Sequence, residues 1–329
     1  MKLKNLFLFS FLFVVACERY EPQGGELAYT DSWVVDFGLA SGNCVVYDDT
    51  LYVLFGREEG GSAEVPSQKL RYAPISNLSN FKEIDLPISP RVKASAIVVD
   101  GHLYAGLGFC GKVYANNSLL TDWWVYDFSS KIWTKLRDCP VNDVVAPVVW
   151  SDENYIYFSF GFNSNFSKSI YRYDIFADMW ELYSETSEPW IRANALGEKV
   201  GNCIYLGGGA AHETKKDWWC YDWQNNEWSE RSSMPSRGRV FASSAVIGDN
   251  IYILGGRYFG GTETREYFYE TILWYDVDLD EWFTLGRMEQ AVENMIAFEC
   301  NGDLYWGLGQ CQNGSFVKKI YKRNMRFKN

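Results

Sequence analysis

The chain is poor in the groups that most often carry chemistry. It has only two histidines in 329 residues, His102 and His212, so a histidine relay or an imidazole-built metal cluster has almost no material. Eight cysteines are present, but none stand in a Cys-x-x-Cys pair, which removes the common zinc and thioredoxin-type motifs. No glycine-rich phosphate loop opens a helix. Basic residues are outnumbered by acidic ones, 31 to 42, for a net charge of −11. Phosphate backbones need a basic face, so no nucleic-acid partner is expected. The one sustained apolar run, Leu6 to Ala16, falls well short of the roughly 20 residues that a spanning helix requires.

That run is informative for another reason. It follows Met1-Lys2-Leu3-Lys4 and ends in Val14-Val15-Ala16-Cys17, the basic and apolar regions of an export signal. The ending resembles a bacterial lipoprotein lipobox, with Val14 where leucine is usual. The resemblance implies that residues 1–16 are a signal peptide and that Cys17 is the lipid attachment site. Residues 17–28 then form a polar tether, and the protein is lipid-anchored to the bacterial outer membrane, on either its periplasmic or its surface side. Acyl chains contribute about 0.8 kcal/mol per buried CH₂, so two or more make a stable anchor. Most of the remaining cysteines, including Cys44, Cys203, Cys220 and Cys300, lie in or beside apolar runs, where a thiol serves as a small hydrophobe.

What the chain has in abundance is aromatic residues, 17% of the total, within 47% hydrophobic residues overall. That is ample for a large core. They are ordered. A tyrosine recurs at positions 52, 104, 157, 205, 252 and 305, each followed four residues later by glycine: Gly56, Gly108, Gly161, Gly209, Gly256 and Gly309. A second tyrosine recurs at 72, 126, 173, 221, 275 and 321, and a further aromatic at 33, 81, 133, 180, 228 and 282. Within each period of about 50 residues, four short β-branched and aromatic runs are separated by Gly, Asp, Asn and Ser, the pattern of a four-stranded antiparallel meander. The last period ends before its own tryptophan, whereas Trp33 precedes the first. The stretch Ser32 to Asp36 therefore supplies the missing outer strand and closes a ring, which leaves no exposed edge pair.

Small four-stranded sheets at this period resemble blades of the kelch family. The resemblance rests on Gly208-Gly209 and Gly255-Gly256, on Tyr221 and Tyr275, on Trp228 and Trp282, and on Pro90-Arg91 with the turn Asp100-Gly101-His102-Leu103-Tyr104. Other blades replace one glycine, as in Phe55-Gly56 and Phe160-Gly161. The fold class implied is all-β, a six-bladed β-propeller over residues 29–329. Its blades run roughly over 40–87, 88–140, 141–186, 187–235, 236–288, and 289–329 joined by 29–37. The repeated Asp-Trp-Trp-x-Tyr-Asp at Asp122 and Asp217 resembles kelch lipoproteins of Bacteroidetes.

Aromatics at repeated positions are expected to fill the widening space between blades. Trp123 and Trp218 are held out as possible platforms for a sugar, because alternate strand residues face opposite sides. Arg91, Arg192 and Arg239 share one offset, which marks them as scaffold residues.

In kelch propellers ligands meet the face built by the loops entering the first strand and leaving the second. The resemblance carries this to Ser41, Lys93, Ala146, Asn194, Phe241 and Asn294, and to Arg57, Phe109, Phe162, Ala210, Arg257 and Gln310. Three cations, three amides and three phenylalanines would surround one channel mouth, a set suited to a carboxylate or phosphate with a sugar or peptide attached. His212 joins this face beside Glu213. Galactose oxidase also has kelch blades, but its copper site needs two histidines close together, and these two lie at opposite ends of their strands. No metal or cofactor is expected, and no catalytic residue is assigned. The expected role is a monomeric binding module for a glycan, peptide or envelope protein. The alternative is a mutarotase or epimerase of the sialic-acid type, with Glu58, Glu213 or His212 as acid and base beside Arg57 or Arg257.

Overall fold

The computed structural model describes residues 25–60, 66–111, 118–141, 145–159, 161, 169–185, 192–235, 237–260 and 267–325. Cys17 with the whole signal segment, and Phe162, lie outside the described residues. Six four-stranded antiparallel sheets follow one another in chain order. Each has its first strand innermost: Asn43–Tyr47, Ser95–Val99, Val148–Ser151, Leu196–Val200, Ser243–Ile247 and Ile296–Cys300. These inner strands touch in a closed ring around a central channel.

The ring closes as the repeat count requires. Asp31–Val34 lies antiparallel on Lys319–Arg323, with Trp33 opposite Ile320, and forms the outer strand of the sixth sheet. The segment before it is also fixed. Ala28 donates its amide to the Arg287 carbonyl at 2.8 Å, and Arg287 Nε donates to the Gly25 carbonyl at 3.0 Å. Among the described residues no helix is long and apolar enough to cross a membrane.

Adjacent blades are stitched together at the glycine positions. The amides of Gly56, Gly209 and Gly256 donate to the carbonyls of Arg91, Arg239 and Val292, each in the next blade, at 2.8 Å, and Gly309 closes the circle on Leu39 at 2.6 Å. A Cβ on Gly256 would lie 2.8 Å from the Val240 carbonyl oxygen, and its φ is +82°, so glycine is required there. Where the preceding glycine is replaced, the backbone does not change. Phe55, Leu107 and Leu308 keep φ of 62°, 59° and 58°, and each is fully buried. Burial of a large side chain offsets the cost of a left-handed residue.

The offset arginines are scaffold, as their repetition implies. Arg192 is 0% exposed; its two terminal nitrogens donate to the Asp217 carboxylate at 2.8 and 2.6 Å and to the Gly208 carbonyl at 3.0 Å. Arg91 holds Asp122 at 2.7 Å and the Leu107 carbonyl at 3.0 Å. In the fifth blade Arg239 donates instead to Thr271, through its backbone and its hydroxyl.

Two expectations are corrected. Trp123 and Trp218 are completely buried, packed edge-on against Trp180 at 5.8 Å and Trp282 at 5.2 Å. They fill the wedge between blades and offer no platform to a sugar. Cys203 and Cys220 are not separate core thiols but form a disulfide. They sit on neighbouring antiparallel strands with Cα atoms 5.7 Å apart, within the span that a disulfide bridges.

Candidate functional site

The channel opens on the face where each chain segment turns into its inner strand. At that turn Ser41, Lys93, Ala146, Asn194, Phe241 and Asn294 all have positive φ, from 51° to 58°. Backbone bonds link neighbouring blades there. Ser41 N donates to Asn294 O at 2.9 Å, Asn294 N to Phe241 O at 2.9 Å, and Ala146 N to Lys93 O at 3.1 Å. Because all six blades adopt this conformation, the turn belongs to the fold. Only the side chains differ from blade to blade. All six residues line one cavity of about 190 Å³, together with Asn43 and Ser243. Small residues at the next position, Gly42, Ala94, Ala195 and Ala242, keep it open.

Lys93 is the cation of this cavity. Its ammonium donates to Asn294 Oδ1 at 2.5 Å and lies 4.4 Å from the centre of the Phe241 ring. Although the side chain keeps some surface toward the cavity, the surrounding protein pushes its pKa down to about 8; Glu293 opposes that effect and Arg257 adds to it. Arg257 pairs with Glu293 at 3.1 Å and lies 5.0 Å from the centre of the same Phe241 ring. One aromatic ring thus serves two cations. Asn194 brings a buried Oδ1 that makes no hydrogen bond among the described residues.

The other sequence candidates fall elsewhere. Arg57 donates to Gln310 Oε1 and lies 5.1 Å from the Phe316 ring, while Gln310 Nε2 donates to Gly314 O at 2.9 Å. The two stand in two-residue strands, Arg57–Glu58 and Gln310–Cys311, and neither lines the cavity. Phe109 is 6% exposed, packed with Val92 and Val145. Its backbone bridges to Val92 and Leu119 on either side, and its ring packs in this cluster and does not line the cavity. His212 is exposed on the turn between Ala210 and Thr214 and lines no part of the cavity.

One group was not singled out in the sequence. Glu198, on the fourth inner strand, accepts the Ser244 hydroxyl at 2.6 Å. Burial pushes its carboxyl up to about 7 against the effect of that bond. Its field reaches Cys44 on the first blade, whose thiol is pushed up to about 12 mainly by burial. The signal that could have found it is comparison along the repeat. Seven residues before each marker tyrosine the chain has Val45, Ile97, Trp150, Glu198, Ala245 and Phe298, and only one of these is charged.

Six closed blades with a polar, partly cationic channel mouth define a kelch-type β-propeller. The family model for the Attractin/LZTR1 β-propeller matches residues 51–299, and the chain belongs to that family. It is similar to Kelch-like protein 25 of Xenopus tropicalis, 25% identical over 62% of this chain and 34% of that protein. It spans still less, 18%, of a Drosophila melanogaster leucine-zipper-like transcriptional regulator 1 homolog, to which it is 28% identical over 51% of its own length. An N-acetylneuraminate epimerase of Pasteurella multocida is 24% identical over 96% of this chain and 75% of that protein. The solved structure of YjhT superposes with a TM-score of 0.74 over 87% of this chain and 95% of that one, at 16% identity, which establishes a common fold.

Proposed function

We propose that the protein is an exported, lipid-anchored binding propeller whose channel mouth recognises the carboxylate of a glycan or peptide, a sugar acid being the simplest such ligand. The observation that carries this reading is Lys93: an ammonium held between Asn294 and Phe241 in a small cavity, with Arg257 adding positive field. A carboxylate arriving there takes a charge-assisted hydrogen bond from Lys93, and the amides suit hydroxyl groups. Arg57, bonded to Gln310, stands outside the cavity lining. The N-terminal sequence supports anchoring through Cys17, and the Cys203–Cys220 disulfide suits an oxidising compartment. Thermal shift at pH 7 tests the reading: N-acetylneuraminate and gluconate are expected to raise the melting temperature, while N-acetylmannosamine and glucose leave it unchanged. Equal shifts for acids and neutral sugars would count against a carboxylate site.

A second reading, mutarotation of a sialic-acid-type sugar, is favoured by Glu198 and by the relatives named epimerases. Ring opening needs a group that gives a proton to the ring oxygen and one that takes a proton from the anomeric hydroxyl. A carboxyl that burial raises to about 7, as at Glu198, can exchange protons at neutral pH. Anomer exchange of N-acetylneuraminate followed by NMR is expected to speed up with the wild-type protein and to return to the uncatalysed rate with Glu198→Gln. An unchanged rate with the wild type would leave binding alone.

A further inference from the structure

The seam between the sixth and first blades departs from the repeat on both of its walls, and a cleft of about 910 Å³ lies there. In blades two to five the tryptophan of the fourth strand stands opposite the second marker tyrosine: Trp133 with Tyr126, Trp180 with Tyr173, Trp228 with Tyr221 and Trp282 with Tyr275. In blade six Ser32 takes that place opposite Tyr321, and Trp33 stands one residue further along, opposite Ile320. Successive strand residues face opposite sides of a sheet, so the indole is turned to the other face, toward blade one. There it lies over Tyr305, with ring centres 6.3 Å and planes 24° apart, and lines the cleft half-buried. The facing wall is irregular too. Blades two to five join their third and fourth strands through four residues, whereas blade one uses 75–81, opened by the 3-10 helix Ile75–Asn77. Ile75 and Ser76 of that connection line the cleft.

We infer that this cleft binds a neutral carbohydrate, one ring lying against Trp33 and its hydroxyls reaching Asp31 on the same wall and Asp48 and Ser76 on the facing one. The pieces are brought together by register. Asp31, Lys322 and Tyr305 stand side by side across three strands, and Trp33, two residues from Asp31, shares their face. Asp31, Asp48 and Ser76 are all exposed and all line the cleft. A sugar ring has an apolar C–H face, which an aromatic side chain can cover, and an edge of hydroxyls that donate as well as accept. Carboxylates take the donated hydrogens, and the serine hydroxyl serves either way. Charge selects among sugars. Lys322, the one lysine or arginine among the residues lining the cleft, is engaged by the buried Asp303 at 2.9 Å, so the exposed carboxylates disfavour an anion. A basic ligand is less well served, because Asp49 is already engaged by the Asn301 amide at 2.9 Å and the cleft floor is aromatic and aliphatic. The site is separate from the carboxylate site at Lys93. Asp48 and Asp49 follow the inner strand Asn43–Tyr47 and Lys93 precedes the inner strand Ser95–Val99, which puts the two at opposite ends of the channel.

Titration calorimetry at pH 7 with maltotriose, cellotriose and triacetylchitotriose tests this. At least one of the three is expected to bind the wild type, and N-acetylneuraminate is expected not to displace it. Trp33→Leu should weaken that binding about tenfold or more, while Trp33→Phe, which keeps an aromatic surface, should retain most of it. Ser76→Arg places a long side chain across the cleft, within reach of the rim carboxylates, and should weaken binding as well. Ser76 is exposed, so this variant keeps the fold and decides the matter even where Trp33→Leu does not fold. Binding of none of the three sugars, or binding that survives either Ser76→Arg or a folded Trp33→Leu, overturns the carbohydrate site. Displacement by N-acetylneuraminate overturns the charge selection and with it the separate site. A trilysine peptide that binds with the same Trp33 dependence while the sugars do not would make the occupant cationic and the inference wrong.

Discussion

Arg192→Met is expected to lower the unfolding free energy by about 3–5 kcal/mol, the usual cost of removing one member of a buried ion pair. Methionine fills much of the same volume, so packing is largely kept and the loss is electrostatic. Asp217 is left in place: a carboxylate at the edge of a buried site, its strongest donors gone. In the intact protein burial alone would raise this carboxyl. The bonds and charge of Arg192, with the indole N–H of Trp219, outweigh burial and hold it below the ordinary carboxylate range. A depressed carboxylate contributes stability that is present above the unfolded-state pKa and is lost as pH falls through the folded-state value. The wild type is therefore expected to lose stability in acid more steeply than Arg192→Met. The fifth blade is the internal control. Arg239 donates to the Thr271 carbonyl and hydroxyl where the other two arginines hold an aspartate, so the two variants compare the loss of an aspartate partner with the loss of a threonine partner, and Arg239→Met is expected to cost less. Urea unfolding of the two variants at pH 7 and pH 4 checks both statements. Equal losses in the two blades would mean that the carboxylates contribute little.

Lys93→Met is expected to do the opposite: to stabilise the free protein by about 2 kcal/mol at pH 7 and to abolish binding of carboxylates. The native state holds the Lys93 pKa down at about 8, from an ordinary 10.5. A depressed amine carries a penalty that is fully present below pH 8 and is relieved as pH rises from there to 10.5. The shift corresponds to roughly 3 kcal/mol, less about 1 kcal/mol for the hydrogen bond to Asn294 that methionine cannot make. The stability gain should therefore shrink as pH is raised from 8 toward 10.5. A destabilised Lys93→Met at pH 7 would indicate that Lys93 is structural, its ammonium fully compensated by Asn294 and Phe241. A functional site is where such a local penalty is tolerated.

The fold was legible in the sequence because a propeller repeats its physical problem six times. Each blade needs a left-handed turn after its second strand, a tyrosine facing the next blade and an aromatic at its outer edge, so the same residue types return at the same offset. Closure could be read from one surplus and one shortage, Trp33 before the first repeat and no tryptophan in the last. The site was legible only in part. Ring position is set by the repeat, so Lys93, Asn194, Phe241 and Asn294 could be placed at the mouth by counting. The outward tier could not, because where Arg57, Phe109 or His212 ends up depends on loop closure and local pairing that no offset encodes. Phe109 became core because Val92 and Leu119 bridge to either side of it. Glu198 escaped notice because a single carboxyl in a strand reads as a solvent-facing residue until the ring places that strand innermost. The Cys203–Cys220 bridge is a matter of strand register, which spacing alone does not fix.

Proton linkage tests most directly whether a carboxylate binds against Lys93. At pH 8 an amine with a pKa near 8 is about half deprotonated, and a bound carboxylate raises that pKa, so binding must take up protons. Titration calorimetry of N-acetylneuraminate in two buffers of different ionisation enthalpy is predicted to show uptake of about 0.5 proton per ligand at pH 8 and little at pH 6.5, with no binding to Lys93→Met. Binding at pH 8 with no proton uptake, or with full affinity in Lys93→Met, would contradict it.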